Sequence, residues 1–390
     1  MGTHFRPAFL LSLLLFITTV STQSLNYVKS LYRDLFSNYT KEIMPKSDYS
    51  QPLNIDVIMY LGSINSFKEV DETVSLIAVF WLNWIDSSLA WDPSSYGNLY
   101  SFVIDPKDMW LPPLFLINRD DKLEAVGHDT TFLTTLAYTG EVNYTPGDNL
   151  QAKCSVDIAK FPYDTQECTI QILPWGIDSS QLTFTSLKDK AQLDWYTAHS
   201  DWTLLDYSTK VITRNNYNLF TFSFKIKRQP LYYSLIIILP TLLFALLNPQ
   251  VFALPVESGE RISLALTILL SYAIFLTIVA ASIPEKSNPM CVLLVVMVVI
   301  ISISGVIAFG VIQSAKFYHL DNIDNVWRIV KRITRWIVKK NNNAVAPLKT
   351  EKEVLISGKD ISNSIDSICF YGAYICIMIT VSAYFGYVFI

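Results

Sequence analysis

A stripe of polar side chains runs through one of the most apolar stretches of the chain. Glu260, Ser263, Thr267, Leu270, Ile274 and Thr277 follow one another at steps of three or four residues, so they share one face of a helix. Hydroxyls and a carboxylate facing lipid would be costly, so this face must line water or other helices. Packing through Ser and Thr hydrogen bonds inside a bundle is one such arrangement. Glu260 at the end of the stripe, with a second acid at Glu257, favours an aqueous lining. Copies of Glu260 around an axis would form an acidic ring that attracts cations and repels anions. Leu270 and Ile274 would form apolar rings able to close the path by dewetting. Arg261 points about 100° away around the helix, toward backbone or a neighbouring subunit.

A second candidate for chemistry is a pair of thiols. Of five cysteines, Cys291, Cys369 and Cys376 fall in long apolar runs and read as small apolar residues. Cys154 and Cys168 lie in a segment expected outside the cell, where pairing them is nearly forced. The loop they close has thirteen residues between them, and by chain entropy its closure contributes about 3 kcal/mol. No enzymatic constellation is visible. The four histidines, His4, His128, His199 and His319, are scattered without ligand-like spacing. No metal, cofactor or nucleic-acid partner is implied.

The elements that must position these residues follow from hydropathy. The chain has 390 residues, 51% hydrophobic and 16% charged, too apolar for an ordinary soluble domain. Four runs are long enough to cross a ~30 Å hydrocarbon core: Leu231 to Leu254, Ile262 to Ile283, Pro289 to Ile312 and Ile368 to Ile390. Ala8 to Ile17, behind His4 and Arg6 and before the small stretch Thr18 to Thr22, reads as a signal peptide over residues 1–22. Export would leave Asn38 and Asn143, each in an Asn-Tyr-Thr sequon, as glycan acceptors. Lys316 to Lys359 carries Arg328, Lys331, Arg332, Arg335, Lys339, Lys340, Lys349 and Lys352, a positive excess that fits a cytoplasmic loop. Within it, Val326 to Val338 places Trp327, Val330, Ile333, Trp336 and Ile337 among basic residues. That pattern suits an amphipathic helix at the inner membrane surface or packed on a neighbouring helix.

Before the first span the pattern is mostly strand. Leu25 to Tyr39 suits a short amphipathic helix, but Val74 to Trp84, Thr169 to Leu173 and Phe220 to Lys227 alternate with period two. Many short strands with Pro, Gly, Asn and Asp clusters between them predict a β-sandwich.

The content of the thiol-closed loop points to a family. Cys154, Asp157, then Phe161-Pro162-Tyr163-Asp164 and Cys168 resemble the signature of the pentameric Cys-loop receptors, a Phe-Pro-x-Asp turn inside a thirteen-residue disulfide loop. Leu31 to Tyr39, Trp84 to Trp91 and Glu257 to Leu264 resemble nicotinic acetylcholine receptor subunits. The resemblance implies an acid at Glu260 typical of cation-conducting members and a gate leucine at Leu270. Anion-conducting members usually carry Pro-Ala before the basic residue, where this chain has Gly259-Glu260. Ala280 and Ala281 stand where many cation channels have an outer acid. Ile283 to Pro289 resembles the loop that meets the disulfide loop.

In that family the agonist sits between subunits in an aromatic box and is held by cation–π attraction. The resemblance keeps Trp175 as the principal tryptophan and Tyr217 as the later tyrosine of the capping loop. Elsewhere the chain departs from the pattern. Trp110-Leu-Pro-Pro113 lacks the usual acid, Ile117 replaces a tyrosine, and Val79 replaces the tryptophan of the complementary face, where Trp81 could substitute. The capping loop between Trp202 and Tyr217 is short and without a cysteine pair, with Tyr207 its only other aromatic residue. A different ligand or a vestigial pocket is expected.

The resulting expectation is a homo- or heteropentameric cation channel opened by an unidentified small-molecule ligand, embedded in lipid at the plasma membrane, with a postsynaptic setting as one option and both mature ends extracellular. The alternatives are a partner subunit that conducts only in heteropentamers and a non-conducting membrane sensor or scaffold. The expected division is a signal peptide over 1–22, an extracellular β-sandwich with a short N-terminal helix over 23–228, three membrane helices over 229–313, a cytoplasmic region over 314–365 and a fourth helix over 366–390.

Overall fold

The computed structural model describes residues 24–120, 122–286, 288–320, 328–345 and 357–389. The expected signal peptide lies outside these residues, as do Val326, Trp327, Lys349, Lys352 and Ile390. The first helix among the described residues, Leu25–Phe36, buries Leu31 and ends three residues before Tyr39.

Eleven strands follow: β1 (Leu53–Lys68), β2 (Thr73–Ile85), β3 (Ser101–Ile104), β4 (Leu114–Leu116), β5 (Thr134–Ala137), β6 (Glu141–Tyr144), β7 (Gly147–Lys153), β8 (Thr165–Pro174), β9 (Leu182–Ser186), β10 (Trp202–Arg214) and β11 (Tyr217–Arg228). They form two sheets. One has the order β3-β5-β6-β2-β1-β9 with β7 also on β2, and the other runs β10-β11-β8-β4. The period-two pattern explains the layering. Ile55, Val57, Met59 and Leu61 of β1 and Leu76, Ala78, Phe80, Leu82 and Trp84 of β2 point inward and are buried. Phe220, Phe222, Phe224 and Ile226 do the same from β11. Phe80 meets Phe220 edge-on at 6.1 Å, so the two inner faces share one core. Cys154, just past β7, is bonded to Cys168 on β8 with Cα atoms 5.3 Å apart, which ties one sheet to the other.

Among the described residues, four long apolar helices follow: Leu231–Ala253, Glu260–Ala281, Val292–Tyr318 and Gly358–Phe389. The first holds a π-helical turn at Ser234–Ile238 and finishes as 3-10 helix over Asn248–Ala253. Pro240 and Pro249 each remove a backbone donor and disturb the regular ladder there. The third helix outruns its apolar run at Ile312, and its polar end packs on the fourth through Ser314 and Ser362, whose hydroxyls are 2.8 Å apart. The fourth helix begins ten residues before Ile368. Glycine is required at its start, because a Cβ on Gly358 would lie 2.5 Å from the Phe317 carbonyl oxygen. A basic helix, Arg328–Val345, lies between them. Its Val330 packs with Phe317, Leu320, Ile361 and Ile365, while Ile329, Ile333 and Trp336 are exposed. One edge of this helix therefore packs on its neighbour, and these three apolar residues lie away from it.

Candidate functional site

The second membrane helix divides its residues by face. Arg261, Ala265, Ile268, Tyr272 and Val279 are buried against the other helices. Glu260, Ser263, Thr267, Leu270, Ile274 and Thr277 are all exposed in the single chain, Leu270 by 62%. Two hydroxyls of the stripe satisfy themselves by bonding back along the helix. Thr267 Oγ1 donates to the Ser263 carbonyl at 2.8 Å, and Thr277 Oγ1 to that of Ile274 at 2.7 Å. Polar oxygens thus remain available on this face without any partner helix. Ala280 and Ala281 are exposed at its far end.

At the near end Gly259 supplies a left-handed turn (φ 70°) that starts the helix. The two acids there differ. Glu257 accepts a hydrogen bond from the Tyr318 hydroxyl on the third helix, whereas Glu260 is exposed on the stripe. Arg261 turns away from the stripe, as its helical offset requires. It meets the Val251 carbonyl (3.1 Å), the Phe252 carbonyl (3.4 Å) and Asp366 of the fourth helix (2.7 Å).

Between the sandwich and the helices lies a dense polar junction. Arg228, the last residue of β11, is buried, and its Nε donates to Asp164 Oδ1 at 2.8 Å. Its Nη1 reaches Glu69 Oε1 at 2.5 Å, and its guanidinium lies 4.3 Å from the Trp202 ring. The two carboxylates hold its pKa above the ordinary arginine value against the opposing effect of burial. Beside it, Lys286 of the loop after the second helix pairs with Glu72 on the β1–β2 turn. The same ammonium donates to Ser155 Oγ (3.0 Å) and the Val156 carbonyl (3.1 Å) in the disulfide loop. The tip of that loop docks on the helices. The Val292 amide donates to the Ala159 carbonyl at 3.3 Å, and the Tyr384 hydroxyl donates to that of Phe161, also at 3.3 Å. These contacts join the sandwich to the loop after the second helix, to the start of the third and to the fourth.

The candidate pocket is scattered over several elements. Trp175 is 52% exposed just beyond β8, and its ring lies 6.1 Å from Phe115 of β4. Ile117 is exposed two residues further on, its amide bonded to the Gln171 carbonyl at 2.9 Å. The β8–β11 ladder runs to Phe220 and Ile172, three residues short of Tyr217 and of Trp175. Tyr207 does not join them. It pairs with Phe224, which pairs with Cys168. That is seven residues from Trp175, about 23 Å at ~3.3 Å per residue. Its ring instead lies under the Lys190 ammonium at 5.2 Å. Chain proximity in a hairpin suggested Tyr207, and ladder register sets it apart from Trp175. The capping hairpin closes on a two-residue turn, Asn215-Asn216, both left-handed (φ 50° and 65°), with Arg214 paired to Tyr217. Asn143, a sequon residue, accepts a hydrogen bond from Asn83 at 2.9 Å in mid-strand, while Asn38 is exposed past the N-terminal helix.

On the other sheet Val79 and Trp81 share the outward face of β2, both half-buried. Sequence reasoning missed two aromatic residues there. Tyr60 of β1 lies directly opposite Val79, and Trp195 packs on Tyr60 at 5.3 Å. Trp195 is 72% exposed, and its segment is held along β1 by Leu61 N–H to the Gln192 carbonyl (3.0 Å) and Thr197 N–H to that of Gly62 (2.8 Å). The alternation of β1 could have signalled that Tyr60 faces outward, but not what it faces. Phe115 was missed for the same reason.

Known proteins resemble most of this chain. The family model for the neurotransmitter-gated ion-channel ligand binding domain matches residues 28–230, and that for the neurotransmitter-gated ion-channel transmembrane region matches residues 237–343. Acetylcholine receptor subunit alpha-1-B of Xenopus laevis is 32% identical over 281 residues, covering 70% of this chain and 61% of its own length. Neuronal acetylcholine receptor subunit alpha-4 of Mus musculus is 32% identical over 298 residues, covering 72% of this chain and 46% of its own. Neuronal acetylcholine receptor subunit alpha-2 of Rattus norvegicus is 28% identical over 356 residues, covering 86% and 68%. The chain thus spans less than two thirds of the length of the first of these.

Proposed function

Since the chain belongs to the family of neurotransmitter-gated ion channels, of which nicotinic receptor subunits are its relatives, we propose that it is a subunit of a pentameric, cation-selective channel of the plasma membrane, opened by an extracellular small molecule. The observation that carries this reading is the exposed stripe from Glu260 to Thr277 opposite a fully packed face. Five copies would enclose a path with a carboxylate ring at its inner mouth and apolar rings at Leu270 and Ile274. Both ends of the mature chain are extracellular in this reading, and the basic helix is cytoplasmic.

Trp175, Phe115 and Tyr217 would supply the principal side of the pocket, with Ile117 at its edge. Tyr60, Trp81 and Trp195 would supply the complementary side. An aromatic lining of this kind suits a protonated or quaternary amine. The test uses Leu270→Thr to loosen the apolar gate and give current without a known agonist. Reversal potentials are then measured while external NaCl is diluted. Cation selectivity moves them toward the sodium equilibrium potential, and a shift toward the chloride potential overturns the reading.

One observation favours a second reading, in which the chain conducts with partners that supply the principal face. The hairpin that would cap the ligand is a tight two-residue turn and cannot fold over a pocket as a longer loop would. Current from this chain expressed alone separates the two.

A further inference from the structure

Arg261 follows Glu260 directly, yet only 2% of it is exposed. Its guanidinium is enclosed by the end of the first membrane helix, lying 5.3 Å from the Phe252 ring and donating to the Val251 and Phe252 carbonyls at 3.1 and 3.4 Å. Two carbonyls solvate a cation but do not neutralise it. The full counter-charge comes from the fourth helix, where Asp366 Oδ1 lies 2.7 Å from Arg261 Nη2 with its side chain 14% exposed. A buried pair of this kind holds only while both partners are present, since removing one leaves an uncompensated charge.

We propose that Asp366 is a positioning residue for ion selectivity: it neutralises Arg261 and pins it against the first helix, so that the Glu260 ring acts alone at the pore mouth. This rests on the reading of Glu260 as the selectivity ring. Neighbouring Cα atoms are about 3.8 Å apart, so an uncompensated Arg261 would sit about one Debye length or less from the ring it opposes. Five such cations would cancel five carboxylates. The fourth helix contributes no residue to the stripe, yet through this one pair it would set the field that permeating ions meet. The inference also explains how a basic residue is tolerated beside an acidic ring.

The experiment compares D366N, D366E, R261Q and R261Q/D366N in the Leu270→Ser background, by reversal potential under NaCl dilution. D366N should raise chloride permeability relative to sodium by roughly fivefold or more, the effect of unmasking five charges near the mouth. D366E should stay near the parent, and R261Q/D366N should return to it, because removing both charges leaves Glu260 unopposed. A packing role alone would make the double variant at least as impaired as the single one. Unchanged selectivity in D366N, or a double variant as chloride-permeable as D366N, overturns the proposal. If D366N fails to reach the cell surface, R261Q/D366N should restore surface labelling, and a double variant equally retained overturns it too. A parent channel that itself follows chloride would instead sink the reading of Glu260, which keeps the two failures apart.

Discussion

The two halves of this molecule arrange their functional side chains in different ways. In the membrane half, the stripe from Glu260 to Thr277 belongs to a single helix, and the 3.6-residue repeat alone puts its members on one face. In the extracellular half, the candidate pocket draws Phe115 from β4, Trp175 from the end of β8 and Tyr217 from β11. Its complementary wall draws on β1, β2 and the segment before β10. A site on one element tolerates change elsewhere in the chain. A site assembled from many elements drifts when any register, loop length or strand partner changes. On the proposed reading, that difference would let a pore stripe persist beside a pocket that departs from the expected pattern at Val79 and Ile117.

The comparison breaks most severely at the junction that both halves share. Arg228→Gln leaves Asp164 buried beside Glu69 without its cation, at a cost of about 3–5 kcal/mol. Surface biotinylation should then find almost no mature protein. Cys154→Ser opens the loop that ties the sheets together, losing about 3 kcal/mol, and should likewise be retained inside the cell. Normal surface levels would mean, for Arg228→Gln, that the two halves are not joined as described and, for Cys154→Ser, that the sheets do not need their tie.

The next effect sharpens the contrast between the acids. Glu260→Ala should abolish most of the cation preference, read as a reversal-potential shift under NaCl dilution. Glu257→Ala should change it far less, because Glu257 is held by Tyr318 off the stripe. Equal effects would remove the argument from helical face.

Pocket substitutions should be gentler. Acetylcholine should evoke little current at micromolar concentration, since the residues at Val79 and Ile117 no longer offer rings. Trp195→Ala or Tyr60→Ala should weaken binding of tetramethylammonium, used as a bare quaternary probe, by about 0.5–2 kcal/mol each. Titration of intrinsic tryptophan fluorescence checks this, and unchanged affinity in both would remove the complementary wall. The smallest expected effect is that of Tyr207→Ala, which should leave the same affinity within about twofold, because additivity leaves little coupling across such a distance.

The sequence by itself determined the local parts of this protein. Hydropathy alone gave four spans, period-two alternation gave the strands of the sandwich, and the two exported thiols gave the disulfide. The helical repeat also separated Glu260 from Arg261 by face. These features are legible because each repeats within a few residues of chain. The tertiary structure decided which strands lie side by side and at what offset. It put Tyr60 opposite Val79, set Trp195 on Tyr60, brought Phe115 to Trp175 and left Tyr207 seven residues out of reach. It also chose Asp366 as the partner of Arg261. Register and helix packing join residues far apart in the chain, and they are fixed by how whole faces fit together, a long-range property that no local repeat encodes.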